Sequence, residues 1–408
     1  MLQINRGNMI VISLMAFVFY QCINFIYFPI ATIFPDEQRF LNEAIRFSST
    51  GEFWTENSRA WEMPLTGIIY GYIYTVFHNT ESTIIAIRIM QSLMLIFQAS
   101  LIYKIALILF RKKEVAFISF IIMLFYPFFV YYQALLLSET MFITLLLIAF
   151  YFLYKWYEED FRLNRYFILT NFFFTLTIYS KGTLSILPPL LVSMFYFINT
   201  YKLKTALKIF IYSFLLYSIV LSLWWIRNYN IFHIFVPFTT SSSMNLYLGA
   251  NEKNKLSGVD WATDVDIDFV TNVNTLDDEI ERNRLYKEKA FEFIKNNTGQ
   301  YISMMWLKFK RFYNFIFNAE SFSSIYYNIL SIFSYGIIIV FALITFIITL
   351  KEWKKFSAIY IIIGYFTLIH ILYIASLRYR LPLEPLFIVL ASYSIVSLKN
   401  KFNRINIK

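Results

Sequence analysis

The chain is a succession of long apolar runs separated by short polar breaks. A helix of about 20 apolar residues crosses a hydrocarbon core of about 30 Å. On that measure ten runs predict spanning helices, over roughly 9–33, 84–110, 115–131, 140–155, 167–180, 183–199, 209–226, 325–350, 356–376 and 382–398. Several are short for a full crossing, so eight to twelve is the expected range. Residues 64–77 (PLTGIIYGYIYTVF) are apolar over only 14 positions and predict an interfacial or re-entrant helix outside the membrane. Sequence repeats and low-complexity tracts are absent.

Two polar breaks are long, at about 34–83 and about 227–324. They predict an N-terminal membrane module over 1–226 that includes a first outer loop at 34–83. An outer loop or small domain follows over 227–324, then C-terminal membrane helices over 325–408. The second loop opens with the run Thr239 to Ser243 and carries most of the Asp residues. Its later part predicts a charged helix from about 276 to 295, with Thr275 and Asp278 spaced as a capping box. Residues 301–317 (YISMMWLKFKRFYNFIF), with Lys308, Lys310 and Arg311, suit a helix lying on the outer interface. The fold class is an all-α polytopic membrane protein.

Composition narrows the classes. Of the 408 residues, 58% are hydrophobic and only 15% charged, against about 25% charged in ordinary soluble domains. A soluble chain of this size could not bury so much apolar surface, and disordered chains are charge-rich and apolar-poor. The single Cys22 excludes a disulfide scaffold. The net charge is +10, but Lys and Arg are scattered between apolar runs and form no nucleic-acid face.

Charge also sets an expected orientation, because cytoplasmic loops collect Lys and Arg. With both termini inside, the inner segments hold 17 basic and 5 acidic residues, and the outer segments carry a net charge of −4. The first span has too long an apolar region, and no small-residue cleavage site, for a signal peptide, and reads as a transmembrane anchor. The inner loops are short, so function is expected on the outer face.

Four polar constellations fall at outer ends of the predicted spans. Phe34-Pro35-Asp36-Glu37-Gln38-Arg39-Phe40 follows the first span, which Pro35 is expected to end. Its carboxylates can act as a general base or bind a cation; the alternative is a plain polar cap. Glu139, in Ser138-Glu139-Thr140, interrupts a nearly continuous apolar run. Carboxylates at such places are costly and usually functional, the alternative being a polar turn between spans. Lys181, Arg227, Arg378 and Arg380 end at the outer face with no obvious carboxylate partner nearby in sequence. Together they suit an anionic lipid head or a pyrophosphate-like ligand; singly, each could be snorkelling. The stretch holding Lys308, Lys310 and Arg311 reads as interfacial anchoring.

A phosphate-cradling Gly-rich loop is absent, as are a Cys/His cluster and a hydrolase motif; His78, His233 and His370 are far apart. The sequon Asn296-Asn297-Thr298 lies in the second outer loop.

With these residues placed, the chain resembles the membrane-embedded C-type glycosyltransferases, above all bacterial relatives of protein O-mannosyltransferases and of the lipid A aminoarabinose transferase. Six motifs carry the resemblance in order: PDEQRF, WEMPLTGIIYGYIY, YPFFVYYQALLLSETMF, YSKGT, WWIRNYNIFHIFVPFTTSSSMNLYLGAN and RYRLPLEPLF. One departure is Trp61-Glu62-Met63-Pro64, where relatives often carry Lys or Arg just before the Pro; Arg59 is the candidate substitute.

The resemblance implies a transferase in a bacterial plasma membrane, with the active site facing outward. It implies a polyprenyl-phosphate sugar as donor and a glycolipid, glycan or protein hydroxyl as acceptor. Asp36 matches the catalytic base of an inverting displacement, and Glu139 the second acidic position. Arg227 and Lys181 match donor-phosphate positions, to which Arg378 and Arg380 are added. Glu37, Arg39, Arg59, Asn228 and Tyr379 are candidate sugar or acceptor contacts. No metal ligand is assigned, and a divalent metal stays open because some C-type enzymes use one. Two other readings are a glycan polymerase or ligase using lipid-pyrophosphate glycans, and a lipid-linked sugar transporter.

Overall fold

The computed structural model describes residues 6–54, 58–254, 264–316 and 324–405. Among these residues the fold is helical. The helices are α1 (Arg6–Ile26), α2 (Pro35–Thr50), α3 (Leu65–Phe77), α4 (Thr80–Phe110), α5 (Lys113–Phe125), α6 (Pro127–Tyr132), α7 (Glu139–Glu158), α8 (Arg165–Ser180), α9 (Leu187–Thr200) and α10 (Leu203–Phe232). An outer group follows: α11 (Ser241–Gly249), α12 (Ile267–Asn274), α13 (Glu279–Asn296) and α14 (Thr298–Phe312). The C-terminal helices are α15 (Ile325–Ser331), α16 (Ile337–Ile348), α17 (Trp353–Leu372), α18 (Leu377–Arg380) and α19 (Glu384–Ile405). One π turn joins α15 to α16.

Among the described residues, seven helices are long and apolar enough to cross a membrane: Gly7–Ile26, Thr80–Phe110, Glu139–Glu158, Leu203–Phe232, Ile325–Ile348, Leu350–Leu372 and Leu377–Lys401. Three further segments expected to span form shorter helices: α5 with 13 residues, α8 with 16 and α9 with 14. Proline delimits two of them. Pro127 opens α6 directly after α5, and Pro188 and Pro189 sit in the first turn of α9, where a missing N–H costs nothing. The outward faces are oily: Leu223 on α10 is 74% exposed and Met15 on α1 is 65% exposed. Lipid solvates such faces; water does not.

Two sequence expectations change. The first helix stops at Ile26, well before Pro35, and Pro35 instead opens α2 at its first position, with the Glu37 side chain folding back on the cap. The start of α13 is capped by Asp278 itself, whose carboxylate accepts from Ile280 N (2.8 Å) and Glu281 N (3.2 Å); Thr275 ends α12 instead.

Helix α4 is the spine. Asn79 caps it by accepting from Ser82 N at 2.9 Å. At 1.5 Å per residue its 31 residues extend about 46 Å, longer than a hydrocarbon core. Helices α5 and α7 pack along it, and α2 and α3 pack together with α3 resting on its N-terminal part. The α2–α3 contact is close because Gly71 has no side chain: a Cβ there would overlap the Phe47 ring. At the end of the bundle far from Glu139, Glu158 pairs with Arg111 (2.6 Å) and Lys155 (2.9 Å), and Lys355 donates to the Leu109 carbonyl.

Helices α11 to α14 form their own core around Tyr247, Tyr286 and Phe293. Glu279, at the start of α13, fastens this group to the first outer loop. Its carboxylate accepts from Arg59 N (2.5 Å), Ala60 N (3.1 Å) and the Thr240 hydroxyl. Arg282 donates to the Ser58 hydroxyl at 2.8 Å.

Candidate active site

Helix α2 follows the short linker after α1 and presents Asp36 and Arg39 one turn apart. Helix α7 opens with Glu139, and α8 ends next to Lys181. The start of α18 brings Arg378 from the far end of the sequence. These four elements meet in one chain of ion pairs. Arg378 Nη1 donates to Asp36 Oδ2 at 2.5 Å, and its Nε donates to Glu139 Oε1, also at 2.5 Å. Lys181 Nζ donates to the same Glu139 oxygen at 3.0 Å. On the other side Arg39 pairs with Asp36 Oδ1 at 3.0 Å and with Glu62. Three carboxylates thus alternate with three cations, and the cluster is formally neutral.

Exposure grades across the cluster. The Glu139 side chain is 2% exposed, whereas Lys181, Arg378, Arg39 and Asp36 keep between 25% and 33%. The cluster is therefore closed at Glu139, and its other members are partly open. Burial alone would raise the Asp36 carboxyl, but Arg378 and then Arg39 outweigh it and hold Asp36 below its ordinary value. Tyr379 forms one wall: it stacks on His370 at 4.9 Å and 6°, and Lys181 lies 5.1 Å from its ring centroid.

Other residues singled out from the sequence have different places. Glu37 is fully buried and spends both oxygens on backbone: Oε2 accepts from Ile33 N (2.9 Å) and Phe34 N (3.0 Å), and Oε1 from Leu136 N (2.9 Å). Asn228 is fully buried and donates to the Val236 carbonyl. Arg227 grips the carbonyls of Arg59 and Phe53, both at 2.6 Å, and so holds the first outer loop. Arg59 turns outward to Glu52 and stacks on Trp54.

Arg380 does have a carboxylate partner, one helical turn away. It pairs with Glu384 at 2.9 Å, donates to the carbonyls of Phe312 and Asn314, and is fully buried. Lys308 is fully buried as well, contrary to an exposed anchor. It donates to the carbonyls of Gly249 (2.7 Å) and Leu372 (3.4 Å), and burial pushes its ammonium down to about 7. The outward face of α14 falls to Ile302 and Trp306, with Lys310 over the Trp306 ring.

Two acids of the region escaped sequence reasoning as site residues. Glu62, the acid of Trp61-Glu62-Met63-Pro64, faces Arg39. Glu43, two turns along α2 from Asp36, is 1% exposed with neither oxygen hydrogen-bonded. Burial, then the nearby Glu62, raises its carboxyl well above the ordinary value. The seven-residue step from Asp36 to Glu43 on one helix was the available signal. Among the described residues, no three of His, Cys, Asp and Glu are grouped so as to hold a metal ion.

Residues 63–225 match the dolichyl-phosphate-mannose-protein mannosyltransferase family. This match bears out the resemblance to C-type membrane glycosyltransferases that the motifs carried. The matched segment contains Glu139 and Lys181; Asp36, Arg227 and Arg378 lie outside it. The chain is also similar to crystal structures of ArnT from Cupriavidus metallidurans, one bound to undecaprenyl phosphate and one in the apo state. Identity is 12% for both, with 94% of this chain and 77% of that chain covered, and TM-scores of 0.47 and 0.43. No curated protein matches the chain significantly in sequence.

Proposed function

We propose that this protein is an inverting membrane glycosyltransferase that moves a sugar from a polyprenyl phosphate to an acceptor hydroxyl at the outer face. The observation that carries the reading is the convergence of Asp36, Glu139, Lys181 and Arg378 from four distant segments into one half-open cluster. A carboxylate base beside two clustered cations is what this displacement needs. Asp36 takes the acceptor proton while the acceptor oxygen bonds to the anomeric carbon. The bond from that carbon to the phosphate oxygen breaks, and its electron pair leaves on the polyprenyl phosphate. A single displacement inverts the anomeric centre.

Lys181 and Arg378 stabilise the charge that grows on the leaving phosphate. Glu139 holds both cations on one oxygen and orients them. Without donor, Arg378 and Arg39 occupy Asp36 and keep it a weak base. A donor phosphate competes with Asp36 for Arg378, so donor binding itself raises the basicity of Asp36. Such a base contributes about 10²–10⁴-fold to the rate. We read the Glu158 end, where Arg111, Lys155 and Lys355 collect, as the inner one by the positive-inside rule, and the cluster as facing the outside of a bacterial plasma membrane.

The test compares surface glycans and glycolipids by mass spectrometry in three strains: native, deletion, and Asp36→Asn at matched protein level. The reading expects the deletion and Asp36→Asn strains to lose the same sugar mass. Loss in the deletion alone removes the catalytic assignment and favours a transporter or polymerase.

A further inference from the structure

Between α6 and α7 the backbone leaves helical geometry over residues 133–138, inside the bundle. Ala134, Leu135, Leu136 and Leu137 are all buried there, 2% exposed at most. Irregular backbone at such a depth strands its own N–H and C=O groups, and apolar side chains cannot serve them. Local turns bond the N–H groups of Ala134, Leu135 and Leu137, and four buried polar side chains from three other helices reach the carbonyls and the Leu136 N–H. From α4, Arg88 Nε donates to the Ala134 carbonyl (2.8 Å) and Gln91 Nε2 to the Leu135 carbonyl (2.7 Å). From α2, Glu37 Oε1 accepts from Leu136 N (2.9 Å). From α3, the Tyr70 hydroxyl donates to the Leu137 carbonyl (3.0 Å). One consecutive backbone group after another is thus gripped, and the next element is the helix that starts at Glu139.

We infer that Tyr70, Gln91 and Glu37 are positioning residues, which set the distance between Asp36 and Glu139 by gripping residues 135–137. Glu37 is the covalent neighbour of Asp36 and is bonded to Leu136, three residues before Glu139. The two acidic motifs are therefore tied to one strut, and the Arg378 and Lys181 that bridge or flank them inherit its geometry. This inference rests on the reading that Arg378 and Lys181 hold a lipid phosphate.

The test measures undecaprenyl phosphate binding to purified full-length protein in detergent, through the concentration giving half-maximal thermal stabilisation. Tyr70→Phe removes one hydroxyl from the grip. Tyr20→Phe is the matched control: its hydroxyl makes a similar buried bond to the Leu124 carbonyl at 2.7 Å, away from the grip. Tyr70→Phe should raise the half-maximal concentration by about tenfold, and Tyr20→Phe by less than about twofold. Gln91→Met, which loosens the same segment from another helix, should follow Tyr70→Phe and replaces it should that variant not fold. Equal effects of the grip and control variants, or no effect of either, overturn the inference, because the hydroxyl then matters only to general stability. Failure of the native protein to bind undecaprenyl phosphate overturns the phosphate reading itself, and the inference with it.

Discussion

Arg378 donates to Asp36 across 2.5 Å, joining residues 342 positions apart. The same guanidinium reaches Glu139 through Nε, so one planar fork holds both acidic motifs. An ammonium is a single point and cannot span two carboxylates in this way. Arg378→Lys should therefore reduce transfer by about 10²-fold or more while protein levels stay near normal. Sugar incorporation in membranes of the variant strain measures this; native-like incorporation would show that the fork is dispensable.

Glu139 carries the opposite expectation for binding and for stability. Glu139→Gln leaves Lys181 and Arg378 without their shared anion, and breaking a buried pair costs about 3–5 kcal/mol. Both cations are a quarter exposed, so the loss should fall at or below the lower end of that range. The melting temperature without ligand drops. Undecaprenyl phosphate should then stabilise the variant more than the native protein, because its phosphate supplies the missing charge. A smaller ligand-induced shift in the variant would contradict this.

Glu43 makes stability depend on pH. Its folded carboxyl is raised well above the ordinary 4.5 by burial and by Glu62. The folded state therefore keeps this proton where the unfolded chain has lost it. The stabilisation is complete below about 4.5 and is lost as pH rises towards the raised folded value. Glu43→Gln, a neutral mimic, should remove this part of the decline. Melting curves between pH 4 and 9 should be flatter in the variant than in the native protein, and parallel curves would argue that Glu43 is ionised.

Lys308 acts with the opposite sign. Its folded value is about 7 against an ordinary 10.5, because burial disfavours the ammonium. The unfolded chain then binds the proton more tightly between those values, so stability rises as pH climbs from about 7 to 10.5. Lys308→Met should lose this rise. The comparison is the change in melting temperature from pH 7 to pH 10, expected to be smaller in the variant.

Asp36 adds the acid limb. Arg378 and Arg39 hold it below its ordinary 3.8 against the effect of burial. Its stabilising contribution is present above that ordinary value and fades only as pH falls through the lower folded value. Replacing Arg378 with Met leaves burial opposed by Arg39 alone, so this acid limb should shrink: the melting temperature falls at neutral pH and depends less on pH in the acid range than in the native protein.

The membrane class of this protein is written in its apolar runs. Apolar runs near 20 residues long have only the bilayer as a solvent, and PDE, SET, SKG and LRYR fall at the ends of such runs wherever the helices go. Asp36, Glu139, Lys181 and Arg378 could be singled out for that reason, and the fold joins them in one ion-pair cluster. Their roles relative to one another were not legible, because a bond between residues hundreds of positions apart has no local signature. Glu37 and Asn228 looked like ligand contacts beside Asp36 and Arg227. Tertiary packing turned both inward, since a buried backbone group must be satisfied by whichever polar side chain lies within reach. Glu62 looked like a missing cation and became the partner of Arg39. Arg380, four residues before Glu384 in sequence, was the exception: its partner was in plain view at helical spacing, and only the burial of that pair required the fold. Helix lengths shifted for a local reason: Pro127 and Pro188 break apolar runs that hydropathy alone reads as continuous. Which polar groups face a ligand and which serve the backbone is decided by three-dimensional proximity, and only the folded bundle supplies it.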